Sequence, residues 1–211
     1  FSIYKNRYYK PLSLEEIGCY LSHIKCWEKV IADNVDYAVI LEDDVLVDKR
    51  LINFLNLLPK LEWLEWDIIK LTSSVRKAKI IYQRIDDNLN IIKYHPQSTL
   101  FVGQIIRQKA VKKLLTNRIF RPIDVDLQFT WENNLNIFSL DPDILDNQKV
   151  ESNIRNIKQN KYLPVKYWLK KWQYEIFFFT KCFMQNIKEY GIKNAFLLEF
   201  KKVLDYTINK F

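Results

Sequence analysis

The chain has 211 residues, 48% hydrophobic and 15% aromatic, with only 3 Gly and 6 Pro. That is enough apolar mass for a sizeable core, and too little Gly and Pro for a disordered or low-complexity chain. The formal net charge is +8, yet residues 155–211 hold 12 Lys and Arg against 4 Asp and Glu, so the whole imbalance lies in the C-terminal tail.

Cys19, Cys26 and Cys182 are odd in number and lack framework spacing. This argues against a disulfide scaffold or a cysteine zinc site and favours a reducing compartment. Cys19 and Cys26 would share one helix face as small buried residues. The chain opens Phe1-Ser2-Ile3, with no Met and no long apolar run, and reads as a fragment or trimmed chain without a signal peptide.

Ser13-Leu14-Glu15-Glu16 has the Ser-x-x-Glu form of a capping box, so a helix should follow. Ile17, Leu21, Ile24, Trp27 and Ile31 mark its apolar face, and Asp33-Asn34 ends it. Tyr37 to Leu41 is a continuous apolar run, the mark of a strand buried on both faces. Asp48 caps a helix that runs to Leu58 and is stopped by Pro59. Asp67 to Leu71 and Thr99 to Ile106 read as strands, and Gln108 to Leu115 as a short basic helix. A helix from Ile123 to Asn133 and a strand from Asn136 to Leu140 complete the pattern. Helices alternating with short apolar strands predict an α/β fold with a mainly parallel sheet flanked by helices.

Past Asn153 the texture changes. Asn156 to Lys161 is a polar linker, and Pro164 to Tyr190 a long amphipathic helix. Its apolar stripe is Val165, Trp168, Leu169, Trp172, Ile176, Phe179, Phe183 and Ile187. Gly191 stands where a C-terminal cap belongs, and a second helix runs from Lys193 to about Ile208. The division is therefore 1–154 for the α/β domain and 155–211 for a basic, aromatic helical tail. Its aromatics and lysines suit an anionic membrane surface, or else packing on the domain with lysines in solvent. Nucleic-acid binding has no supporting motif.

Glu42-Asp43-Asp44 follows the apolar run directly. Ligands of open α/β sheets bind beyond strand carboxyl ends, and three acids there repel one another unless a cation joins them. Oxygen ligands suit Mg²⁺ or Mn²⁺, held by one or two carboxylates with diphosphate and water. The competing reading is a solvated turn with a helix-capping acid.

Leu12-Ser13-Leu14-Glu15-Glu16-Ile17-Gly18-Cys19-Tyr20-Leu21-Ser22-His23, followed by Val39-Ile40-Leu41-Glu42-Asp43-Asp44-Val45, resembles glycosyltransferase family 25. That family includes lipopolysaccharide β-galactosyltransferases, with collagen galactosyltransferases as relatives. The likeness runs over roughly residues 10–154, through Gly103 to Leu115, Pro122 to Asp126, and Gln148 with Ser152-Asn153-Ile154. Members usually begin with a strand and several tens of residues that are missing here, so the resemblance is to an N-terminally truncated member whose activity is in question.

The resemblance implies a GT-A-like, Rossmann-type fold and a UDP-sugar donor, most often UDP-galactose. It implies inversion at the anomeric carbon and transfer to a lipopolysaccharide or lipooligosaccharide acceptor at the cytoplasmic face of a bacterial inner membrane. By position, Asp44 is the first metal ligand. Glu42 faces the ribose or a metal-bound water, and Asp43 orients the loop. Ser22 and His23 are candidates for the donor site, with a structural, hydrogen-bonded histidine as the alternative. The base that an inverting transfer needs is Asp124 or Asp126, Asp124 ranking first, unless Asp124 simply caps its helix. His95, Gln148 and Asp146 are candidates for a later metal ligand. Gly18 and Gly103 read as sites of close packing. A non-catalytic membrane-surface or partner-binding protein on a decayed transferase fold is the other reading, and metal-dependent phosphoester hydrolysis a weaker third.

Overall fold

The structure, a computed structural model, describes residues 8–72, 80–86, 88–93, 96–99, 101–116, 119–147 and 164–208. Helix α1, Leu14–Ala32, begins as its sequence dictates. The Glu16 amide donates to Ser13 Oγ at 3.2 Å, and the Ser13 amide donates to Glu16 Oε2 at 2.8 Å. Such a cap is worth about 1 kcal/mol. The core face of α1 is Tyr20, His23, Ile24, Trp27 and Val30. This is rotated from the expected line, and Leu21 is 39% exposed. Cys19 and Cys26 lie outside that sector and are exposed, contrary to expectation. A Cβ on Gly18 would meet nothing within 4 Å, so this glycine serves no close packing.

The strands are β1 Tyr37–Leu41, β2 Val45–Leu46, β3 Ile68–Lys70, β4 Ile80–Asp86, β5 Leu89–Lys93, β6 Gly103–Arg107, β7 Ile137–Asp141 and β8 Asp146–Asn147. Six form one sheet in the order β1-β6-β3-β7-β5-β4, and β2 pairs with β8. Helices α2 (Lys49–Leu57), α3 (Gln108–Leu114) and α4 (Ile123–Asp126) complete the body. Among the described strands only β3 and β7 pair in parallel, and the other pairings of the sheet are antiparallel. The fold is α/β, but the sheet is mixed rather than mainly parallel. An apolar run sets burial, whereas direction depends on partners distant in sequence. Here β6 runs against both β1 and β3, and the β4–β5 hairpin adds two antiparallel strands. Strand β1 is an edge strand, not one buried on both faces, and Tyr37 is 40% exposed.

Alternation along the central strands builds two cores, one on each face. Ile68, Ile106 and Ile137 join Tyr20, Ile24 and Trp27 of α1 and Ala110 and Val111 of α3. Their neighbours Ile69, Ile105 and Phe138 face Leu51 and Phe54 of α2. The result is a helix–sheet–helix sandwich. Helix α4 is a single turn, followed by a 3-10 turn at Thr130–Glu132, so the helix expected to reach Asn133 is broken.

The tail forms α5, Val165–Ile208, interrupted at Gly191, whose φ of 78° is left-handed. The Phe183 and Phe196 rings lie 5.1 Å apart. A straight helix would separate them by about 20 Å, so the two arms fold back on each other at Gly191. The first arm packs on the body through Phe178 and Cys182, with Tyr174 beside them, against Phe129 and Trp131. The expected stripe is not this contact: Trp168 is 65% and Trp172 56% exposed. Among the described residues no helix is long and apolar enough to cross a membrane. The expected linker lies outside the described residues.

Candidate functional site

Residues from four segments line a cleft of about 370 Å³: Ser13, Glu15, Glu16 and Cys19 at the start of α1, Glu42 after β1, Thr99, Phe101 and Val102 before β6, and Pro122, Ile123 and Asp124 at the start of α4. Leu100 is not among those described. Four carboxylates line this cleft, and none of the described lining residues is basic.

Glu42 is held by its backbone, its amide donating to the Val102 carbonyl at 2.9 Å. The triplet turns from β1 into β2, which is anchored by the pairs Val45 with Asn147 and Leu46 with Asp146. Leu41 faces Gly103 across the β1–β6 ladder. A Cβ at Gly103 would collide with Leu145 Cδ1 and press on Leu41 Cδ2 at 3.0 Å, so this glycine is a site of close approach. Partial loss of water pushes the Glu42 carboxyl above its usual value, and the charges of Asp44, Asp43 and Asp124 add to the rise. Those acids therefore share one electrostatic field, although only Glu42 and Asp124 line the cleft. Asp44 Oδ1 is buried without a hydrogen-bond partner. Among the described residues no three His, Cys, Asp or Glu side chains converge into a ready-made metal cage. An orphaned Asp44 oxygen beside Glu42 fits a divalent cation that takes most of its shell from a phosphate ligand and water.

Asp124 and Asp126 diverge, as their spacing requires. Asp124 lines the cleft, and its Oδ1 accepts the Val125 amide at 2.9 Å. Burial pushes its carboxyl up, while that backbone contact and the Lys70 charge pull it partly back. Asp126 is buried in a closed network. It accepts from the Tyr20 hydroxyl at 2.8 Å and from Arg121 Nη1 at 2.6 Å. Arg121 also binds Glu132 at 2.7 Å and stacks 3.6 Å over the Phe129 ring. Asp126 therefore ties α1, α4 and the 3-10 turn together.

Ser22 lies on the exposed side of α1, donating to the Gly18 carbonyl at 3.1 Å. His23 is buried, its ring 5.1 Å from Phe101, and its Nδ1 has no hydrogen-bond partner. Burial pushes its pKa down, so the imidazole is neutral near pH 7. Neither residue lines the cleft, and His23 instead backs Phe101, which does. Asp146 takes the Arg50 guanidinium that Asp48 also binds. His95 and Gln148 lie outside the described residues. Lys70, unnoticed in the sequence, is buried at the end of β3, with Nζ donating to the Ser98 carbonyl and lying 5.4 Å from the Phe101 ring. Its only signal was a charge inside an apolar run.

A profile of glycosyltransferase family 25, described as an LPS biosynthesis protein, matches residues 1–129. The chain belongs to glycosyltransferase family 25. It is 36% identical to procollagen galactosyltransferase 1-B of Xenopus laevis over 117 residues, which is 53% of this chain and 19% of that protein. It is 26% identical to human procollagen galactosyltransferase 2 over 110 residues, 50% of this chain and 17% of that protein. A glycosyltransferase 25 family member of Aedes aegypti is 46% identical over 43 residues, 20% of this chain and 7% of that protein. The matched stretches thus span a fifth or less of these relatives' own length. The family-25 match takes in α1, the acidic turn and both acids of α4, which are the segments that wall the cleft.

Proposed function

We propose that the protein is a metal-dependent, inverting glycosyltransferase that moves a sugar, galactose first among candidates, from a UDP-sugar to a lipid-linked glycan. The observation that carries this reading is the cleft lined by four carboxylates, Glu42 and Asp124 among them. An anionic diphosphate would be repelled from such a cleft unless a cation bridged them. Asp44 and Glu42 would hold Mn²⁺ or Mg²⁺, with Asp43 shaping the turn. Once bound, the cation supplies charge neutralisation for the departing nucleoside diphosphate.

Asp124 is the proposed base. It takes the acceptor hydroxyl's proton as that oxygen attacks the anomeric carbon and the bond to the diphosphate breaks on the opposite face. Burial strengthens its hold on a proton, which suits a base, and the Lys70 charge opposes the rise. Phe101, backed by neutral His23, gives the cleft an apolar wall. Residues 1–154 carry this chemistry in the proposal, and the tail serves the membrane that anchors the acceptor, on the cytoplasmic side. The lipopolysaccharide-type acceptor rests on the family's description, and galactose on the relatives' names.

Calorimetric titration of the intact protein with UDP-galactose, with and without Mn²⁺, tests the reading. Binding should require Mn²⁺ and be lost in Asp44→Ala. Metal-independent binding, or no binding of any UDP-sugar, would replace it with a partner-binding protein on a transferase fold.

A further inference from the structure

We propose that the first arm of α5 docks the protein on an anionic lipid surface, with the sector opposite its packed face lying in the headgroup layer. At about 100° per residue, Val165, Trp168, Leu169, Trp172, Ile176 and Phe179 fall in one sector of the helix. Each is an exposed large apolar residue. Tyr174, Phe178 and Cys182, which pack on the body at Phe129 and Trp131, fall on the other side. The body thus presents this stripe outwards rather than covering it. Several large apolar side chains in a row on solvent mark an interaction surface.

Charge identifies the occupant. Lys166, Lys170 and Lys181 fall together on one side of the helix, between the stripe and the packed face, and the acid at the stripe's other border, Glu175, is engaged at 3.6 Å by Lys171. A second copy of the chain would bring lysine onto lysine, and is disfavoured. An anionic bilayer supplies both an apolar layer and opposite charge. Tryptophan suits its boundary, with an apolar ring and an N–H that stays hydrated. Each lysine near such a surface adds about 1 kcal/mol of attraction. The helix is not apolar enough to span, so it lies on the surface. Folding back at Gly191 leaves Phe196 and Phe200 of the second arm exposed as well. This inference stands whether or not the cleft transfers a sugar.

Cosedimentation of the intact protein with vesicles tests it. The bound fraction should be high on phosphatidylcholine vesicles containing phosphatidylglycerol and near zero on phosphatidylcholine alone. It should fall at least about tenfold at molar salt, which screens the lysines. Trp168→Ser with Trp172→Ser should cause a similar loss, with the helical circular dichroism and Mn²⁺-dependent UDP-sugar binding unchanged. Lys166→Gln with Lys170→Gln provides a second variant that leaves the apolar stripe in place, and it too should weaken binding. No binding to anionic vesicles, or binding indifferent to both variants, overturns the proposal. So does light scattering that shows a dimer dissolved by the tryptophan substitutions, which would assign the stripe to a second copy.

Discussion

The Tyr20 hydroxyl donates to Asp126 Oδ2 at 2.8 Å, joining residues 106 positions apart and clamping α1 to the turn that carries Asp124. Asp124 reaches the cleft because Asp126, two residues on, is held on the other side by Tyr20 and Arg121. Arg121→Met should remove the partner of both Asp126 and Glu132 and cost about 3–5 kcal/mol, the usual penalty for stranding a buried charge. Tyr20→Phe removes one bond and should cost about 1–3 kcal/mol. Urea unfolding of both variants checks the order. Equal, negligible losses would mean that the network does not hold α4 in place.

Asp124→Asn should lower sugar transfer by about 10²-fold or more, the scale of a lost general base. Donor affinity should change little. In the unsubstituted protein the rate should rise with pH along a limb displaced above the ordinary aspartate value of about 3.9, because burial favours the protonated form. Lys70→Met should move that limb further up, since the Lys70 charge opposes the shift. A limb unmoved by this change would break the proposed electrostatic link between them.

Cation binding and pH should be coupled through Glu42. Its folded pKa is raised, so the folded state holds this proton more tightly than the unfolded chain. Stability without metal should therefore fall as pH rises from the unfolded value, about 4.3, through the raised folded value, and stay level above it. A bound cation favours the ionised carboxylate. The gain in melting temperature on adding Mn²⁺ should therefore grow with pH across the same window. Glu42→Gln should flatten this dependence, and a metal-induced shift that is equally large at the acidic end would argue against the site.

Gly103→Ala should cost about 1–3 kcal/mol by overpacking, since a Cβ there collides with Leu145 and presses on Leu41, the residue before the acidic triplet. Thermal denaturation measures the loss. Mn²⁺ affinity should fall with it, because the turn's anchor on β6 is displaced. Adding Leu145→Ala should restore part of both by making room. An undisturbed Gly103→Ala protein would show that the strand end yields freely.

Much of the local structure was legible. The capping box at Ser13, the cap at Asp48, the stop at Pro59 and the break at Gly191 are decided by neighbours in sequence, and each forms as read. The β4–β5 hairpin is hard to read locally because Ile80-Ile81 and Gln83-Arg84 stand side by side and break the period-2 pattern of a strand, and no Asn-Gly or other Gly dipeptide marks the turn. The tail stripe was read correctly as a periodic apolar face, but periodicity does not say what covers a face. Phe178 and Cys182 won the packed side because Phe129 and Trp131 offer them a complementary surface.

The sequence by itself determined the family, the acidic turn after β1 and the neutrality of the body against the basic tail, all matters of residue identity and short-range order. Only the tertiary structure decided which acids meet. Strand direction, the separation of Asp124 from Asp126, the burial of Lys70 and the retreat of His23 behind Phe101 depend on contacts made across long stretches of chain. Those contacts are set by how side chains fill shared space, and no local pattern encodes that.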